Sequence, residues 1–182
     1  SNKFVFINKF SKNIKKKRAD AVITDIPKLP IGILTADCAP ILIYDKQKKM
    51  VAAIHAGWKG AYKGIISKVI NFMIKNGCEK KNMIAVIGPC IAQKSYNVRE
   101  DFKSKFLKKD KSNKVFFKKR KNLIYFDLSR YIKSQLKFMK ITNLDTINID
   151  TFPKKNNFFS ARRSLHLNHD DYGRNISLIM IN

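Results

Sequence analysis

Two residues with soft donor atoms, Cys38 and His55, bracket a pair of short apolar runs. Between them the chain reads ILIYD, then the polar DKQKK, then MVAAI. Two neighbouring strands joined by that turn would set a Cys at the start of the first against a His at the end of the second. A thiol and an imidazole held together are donors for a zinc ion, or a nucleophile and its base. The plainer alternative is a small buried thiol and a structural histidine, because Cys is among the most buried residue types. After His55 comes Ala-Gly-Trp-Lys-Gly, a glycine-flanked turn opening a helix. Free backbone N–H groups and a cation in such a turn suit an anion. Lys59 at a helix start opposes the helix dipole, which points to an anionic neighbour.

Other candidates surround this pair. Asp37 adjoins Cys38 and is either a turn-forming Asp, a partner for a ligating His or a proton carrier. Arg162 and Arg163 follow Phe158-Phe159-Ser160, and paired guanidinium groups suit bidentate phosphate binding. An exposed, solvated pair is the alternative. His166 and His169 have an H-x-x-H spacing seen in metal sites, but their segment, SLHLNHDDYG, is polar enough to be a solvated loop. Trp58, the only Trp, reads first as packing. Cys90 in IGPCI reads as a core thiol and is the second choice for a reactive one.

TADCAP, HAGWKG, IGPCI and FFSARR, in that order, resemble the YfiH/YlmD family, to which human FAMIN also belongs. The resemblance runs from Arg18-Ala19-Asp20-Ala21 to the final strand. Members carried the label multicopper polyphenol oxidase (laccase) and are now viewed as zinc-dependent purine nucleoside enzymes. The resemblance implies a YfiH-like fold and a zinc site made by Cys38, His55 and a third His from a Gln-x-His motif. That third His would fall at or just before Ser1, so the chain is expected to be one YfiH-like domain shortened at its N-terminus. Arg18 and Asp20 would line the active-site wall. Arg163 first, then Arg162, Lys59 and, more weakly, Arg174 would meet phosphate or nucleoside, and Asp37 would handle protons. The implied reactions are phosphorolysis of adenosine, inosine, guanosine and methylthioadenosine, and deamination of adenosine. A Cys/His hydrolase acting on peptidoglycan precursors is the alternative. A polyphenol oxidase is weaker, because a blue-copper site wants two His, a Cys and an axial ligand. Zinc is therefore expected ahead of copper.

Composition bounds these readings. A chain of 182 residues, 45% hydrophobic and 11% aromatic, can bury one globular core. No apolar run approaches the roughly 18 residues of a membrane span. Three scattered cysteines are too few for a disulfide framework and imply a reduced, cytoplasmic setting. The chain begins SNKFVFIN without Met, so a missing signal peptide carries little weight. The net charge of +25 would suit nucleic acid, but the 38 Lys and Arg are spread along the chain beside abundant Asn and Ile. That bias is what an A/T-rich coding sequence produces, and no nucleic-acid motif accompanies it, so nucleic acid is not the expected partner; purine nucleosides and phosphate are the partners the family resemblance implies.

The elements follow from periodicity. Phe4–Ile7, Ile31–Leu34, Ile41–Tyr44, Val51–Ile54, Ile84–Ile87, Leu123–Phe126, Ile147–Ile149 and Ile176–Ile181 read as strands, with a break at Pro40. Ala61–Lys75 reads as a helix with apolar residues at three- and four-residue spacing. A second follows Asp127, which can cap it, and Glu100–Lys108 makes a short third. Lys108–Lys121 reads as a basic loop. The expected class is α/β (α+β), a single domain with a mixed sheet and flanking helices.

Overall fold

The computed structural model describes residues 2–11, 19–169 and 172–182. Its centre is a mixed six-stranded sheet made of β1 (Phe4–Ile7), β2 (Ala21–Thr24), β4 (Ala39–Asp45), β5 (Met50–Ala56), β6 (Met83–Ile87) and β10 (Asn143–Thr146). Their order across the sheet is β1-β2-β5-β4-β6-β10. The outer pairs β1–β2 and β6–β10 are parallel, and the inner three pairings are antiparallel.

The middle strands are buried on both faces, so they read as unbroken apolar runs instead of alternating ones. Along β5, Ala52, Ile54 and Ala56 face the larger core, while Val51 and Ala53 face a second, smaller one. The larger core is filled by α2 (Ile65–Lys75), through Ile65, Ile66, Val69, Ile70 and Met73, and by α4 (Leu128–Phe138). The smaller core lies under β3 (Ile31–Thr35) paired with β11 (Asn175–Ile179), a two-stranded antiparallel layer. The β4–β5 turn is held by Asp45, whose buried carboxylate accepts hydrogen bonds from the backbone N–H groups of Gln47, Lys48 and Glu79.

An aromatic block completes the wall beside β5. α3 (Glu100–Lys109) packs Phe102 and Phe106 against Phe117 of β8 (Phe117–Arg120) and Phe126 of β9 (Leu123–Phe126). β7 (Asn97–Val98) adds a third strand to that small sheet. Trp58 of α1 (Trp58–Tyr62) packs on this block, its ring tilted against Phe102 with centroids 4.8 Å apart. A short helix, α5 (Ala161–His166), precedes β11.

The mixed class with flanking helices is as expected, with several local corrections. The helix expected over Ala61–Lys75 is two helices, because Gly64 between them takes φ 79°, open to glycine at little cost. Pro40 lies inside β4 instead of breaking it. The break falls just ahead, at Asp37, with φ 77°. The basic segment after Lys108 is a helical turn followed by β8, because Phe116 and Phe117 are drawn into the aromatic block. Residues 147–149 are not a strand; β10 ends at Thr146. No described helix is long and apolar enough to cross a membrane.

Candidate active site

The β4–β5 pairing sets Pro40 opposite His55 and Ala39 opposite Ala56, so the turn carrying Cys38 arrives over the end of β5. Gly57 lies where the two meet. A Cβ on Gly57 would stand 2.7 Å from Cys38 Sγ and 3.9 Å from His55 Nε2. Thiol and imidazole therefore border one small space that only a glycine leaves open. His55 is fixed from behind, its backbone N–H donating to the Asp20 carbonyl at 2.7 Å, while Asp20 N–H donates to Lys3 O at 2.9 Å.

Burial pushes the Cys38 thiol up to about 11, and the neighbouring Asp37 and Asp20 charges add to the effect. Burial holds His55 below its ordinary value, with Asp20 acting the other way. Near neutral pH both groups are uncharged in the metal-free protein. The imidazole is then a ready ligand, and the thiol gives up its proton most easily to a metal cation. Sulfur and nitrogen donors around a space that a Cβ would fill fit a zinc ion, with Cys38 and His55 supplying two ligands. Among the described residues no group of three or more His, Cys, Asp and Glu could hold a metal. His166 is exposed and packs edge-on against Phe152, and His169 is exposed; neither joins the pair.

Asp37 is 8% exposed. Its carboxylate accepts from Thr151 Oγ1 at 2.7 Å, Ser160 Oγ at 2.9 Å and the Arg162 backbone N–H at 2.6 Å. Its own carbonyl accepts from Ile91 N–H at 3.0 Å. One side chain thus ties the loop after β10 and the start of α5 to the turn that carries Cys38. A carboxylate engaged by three protein donors positions its neighbours, and this geometry favours that role over the proton carrier expected from the sequence.

The two arginines, both expected at the substrate, make different contacts. Arg163 spends its guanidinium on backbone carbonyls, at 3.2 Å from Thr151 O, 2.7 Å from Phe152 O and 2.5 Å from Phe158 O. It clamps a loop. Replacing it with Ala should cost roughly 2–4 kcal/mol, measurable by urea unfolding, through the orphaned carbonyls. Arg162 instead lines a cleft. Its Nη1 donates to Asn97 O at 2.9 Å and Asn97 Oδ1 at 2.5 Å, and its guanidinium carbon lies 5.2 Å from the Tyr96 ring centroid.

That cleft, about 190 Å³, is walled by Ala36, Asp37, Cys38, Trp58, Tyr96 and Arg162, with Ile91, Leu128 and Leu165 as apolar floor. An adjoining compartment of about 290 Å³ shares Trp58, Tyr96 and Arg162 and adds Asn97, Arg99 and Lys105. His55 does not line the cleft, whereas Cys38 does. Lys59 is exposed, 5.5 Å from the Trp58 ring centroid. Trp58 both packs on the aromatic block and shows a side to the cleft. A larger groove, about 620 Å³ between α2 and α4, contains none of the candidate residues. Arg18 lies outside the described residues. Cys90 is a buried core thiol, and Arg174 is exposed over Tyr172. Tyr96, Asn97 and Lys105 carried no sequence signal, because only the fold brings residues 38, 58, 96, 105 and 162 together.

This architecture recurs in solved structures. The YfiH protein of Bacillus licheniformis superposes with a TM-score of 0.80 at 28% identity, covering 90% of this chain and 62% of that one. YlmD of Geobacillus stearothermophilus shares the fold with a TM-score of 0.74 at 22% identity, covering 90% and 61%. A purine nucleoside phosphorylase of Rickettsia conorii is 39% identical over 160 residues, 87% of this chain and 65% of its own. One of Haemophilus influenzae is 32% identical over 148 residues, 80% and 59% respectively. The chain thus spans about six-tenths of the length of these relatives. The sequence pattern described as multi-copper polyphenol oxidoreductase laccase matches residues 1–182 from end to end. With its fold, its curated relatives and that full-length match in agreement, the chain belongs to the multi-copper polyphenol oxidoreductase laccase family.

Proposed function

We propose that this protein is a zinc-dependent purine nucleoside enzyme whose main reaction is phosphorolysis of adenosine, inosine, guanosine and methylthioadenosine. The observation that carries the reading is the Cys38–Gly57–His55 cradle set at the end of a cleft walled by Trp58, Tyr96 and Arg162. The relatives named purine nucleoside phosphorylase support it. Cys38 and His55 would hold the metal. Zinc, when bound, would supply Lewis-acid polarisation of a substrate oxygen or water, the chemistry that adenosine deamination also needs.

The chain's own groups do the rest. Trp58 and Tyr96 offer aromatic surface to a purine, and Ile91, Leu128 and Leu165 exclude water below it. Arg162, pinned at one end by Asn97, presents the rest of its guanidinium to an oxyanion without first having to be ordered. Asp37 holds Arg162 and the Cys38 turn in register through the bonds described above.

The test is a panel of the four nucleosides with and without phosphate, following free base and ribose 1-phosphate, on zinc-loaded protein. Base release that requires phosphate is expected. Absence of base release from all four would overturn the reading. Arg162→Ala should slow phosphorolysis by roughly 10- to 150-fold while slowing deamination far less, because a charged contact to phosphate contributes about 1.5–3 kcal/mol. Equal loss of both activities would place Arg162 on the nucleoside instead.

The alternative, a cysteine hydrolase, needs a thiolate near neutral pH, and the surroundings of Cys38 hold its proton on. It is separated cleanly by inhibitors. A chelator should abolish activity in the zinc enzyme and leave a cysteine hydrolase intact.

A further inference from the structure

We propose that the groove between α2 and α4 is a second ligand site, one that takes a small organic ammonium cation with an apolar ring as its body. The groove encloses about 620 Å³ and shares no lining residue with the catalytic cleft. That size is ordinary for a small-molecule pocket. Phe116 and Tyr131, both buried, meet edge to face with centroids 5.2 Å apart and form its floor. Phe138 of α4 also lines it and is 87% exposed, a large apolar ring that nothing among the described residues covers.

The polar groups left open in this groove are acceptors. Asn113 is 7% exposed, and its Nδ2 donates to Phe106 O at 2.9 Å. That bond fixes the orientation of the amide and leaves Oδ1 with no donor among the described residues, a buried acceptor on the groove wall. Asp110 is the one carboxylate among the described lining residues, and no ion pair among them engages it. The backbone holds the two in place: Asn113 N–H donates to Asp110 O at 3.1 Å, and Ser112 N–H donates to Asp110 Oδ1 at 2.8 Å. The cations beside them are already engaged. Lys109 Nζ donates to Tyr62 O and stands 4.4 Å from the Tyr62 ring centroid, and Arg130 Nη1 donates to Val115 O at 3.0 Å. Burial raises the Tyr131 phenol above its ordinary value and the Asp110 charge adds to that push, so the carboxylate's field reaches the groove floor. An ammonium group brings three donors and a positive charge to these acceptors, while its ring body lies against Phe116 and Tyr131. In a chain of net charge +25 the overall field repels a cation, so selection of one must come from Asp110 and Asn113 locally. The site stands whether or not the phosphorylase reading holds.

Titration calorimetry with naphthylethylammonium, and with the neutral naphthylethanol as its twin, tests the site. The cation should bind with a Kd of about 1 mM or tighter, and roughly 3- to 10-fold tighter than the alcohol. Asp110→Asn keeps an acceptor for the Ser112 N–H and should cut that preference below about twofold. Ser134→Phe, which sets a ring into the groove from α4, should remove binding of both probes, with the melting temperature confirming its fold. Saturating adenosine should leave the affinity for the cation unchanged, because groove and cleft have no wall in common. Absence of binding up to about 10 mM, equal binding of amine and alcohol, a preference that survives Asp110→Asn, or binding that survives a folded Ser134→Phe protein overturns the proposal. Displacement of the cation by adenosine overturns it too, by placing the probe in the catalytic cleft.

Discussion

Gly57→Ala is expected to leave the protein folded and all but inactive. Gly57 has φ −71° and ψ 166°, a conformation alanine adopts freely, so the substitution brings no backbone strain. What it adds is a Cβ at 2.7 Å from Cys38 Sγ and 3.9 Å from His55 Nε2. Sulfur and carbon do not approach so closely, so the thiol must move away from the imidazole. A displacement on the order of 1 Å at a reacting centre costs about 100-fold in rate. Zinc per chain, read by elemental analysis, should fall together with kcat/KM. The melting temperature should stay within about 4 °C of the parent, the shift produced by roughly 1 kcal/mol in a chain of this size. A Gly57→Ala protein with full metal content and full activity would remove the cradle from the mechanism. The contrast is Gly64→Ala, at φ 79°, which should cost stability and spare the site.

Asp37→Ala should cost more stability than either glycine substitution or the loss of the Arg163 clamp. It strands the Thr151 and Ser160 hydroxyls and the Arg162 N–H, all of which the carboxylate satisfies. Hydrogen bonds to a charged group contribute about 1.5–3 kcal/mol each and are not additive, so roughly 3–5 kcal/mol is expected, or a fall of about 6–20 °C in melting temperature. Part of any such loss comes from φ 77° at this position. Asn tolerates that conformation as well as Asp does, so Asp37→Asn isolates the hydrogen-bonding term. It should recover some stability but not all, since an amide nitrogen must face one of three donors. If Asp37 were instead a proton carrier with little structural weight, Asp37→Asn would keep the parent melting temperature and lose activity alone. Thermal unfolding and phosphorolysis measured on the same samples separate the two outcomes.

The unequal fates of neighbouring residues show how far the chain could be read without its fold. Arg162 and Arg163 are identical in chemistry and adjacent in sequence. One helical step of about 100° sends the first toward Tyr96 and the second toward the carbonyls of residues 151, 152 and 158. No local pattern encodes which side faces the cleft. The aromatic block is similar: Phe116 and Phe117 sit in a lysine-rich stretch that reads as a solvated loop, and only packing against Phe126 and Tyr131 makes them core.

The sequence by itself determined the doubly buried strands, the helix of α2, the cap at Asp127 and the antiparallel pairing of β4 with β5. Each of these depends on residues within about twenty positions of one another, where periodicity and a short turn dictate geometry. Tertiary structure alone decided that Asp37 is a clasp and that Tyr96 and Lys105 share one cleft with Arg162. Those outcomes arise from contacts between segments forty to more than a hundred residues apart. Such contacts are selected by how whole layers pack and not by any neighbour in the chain.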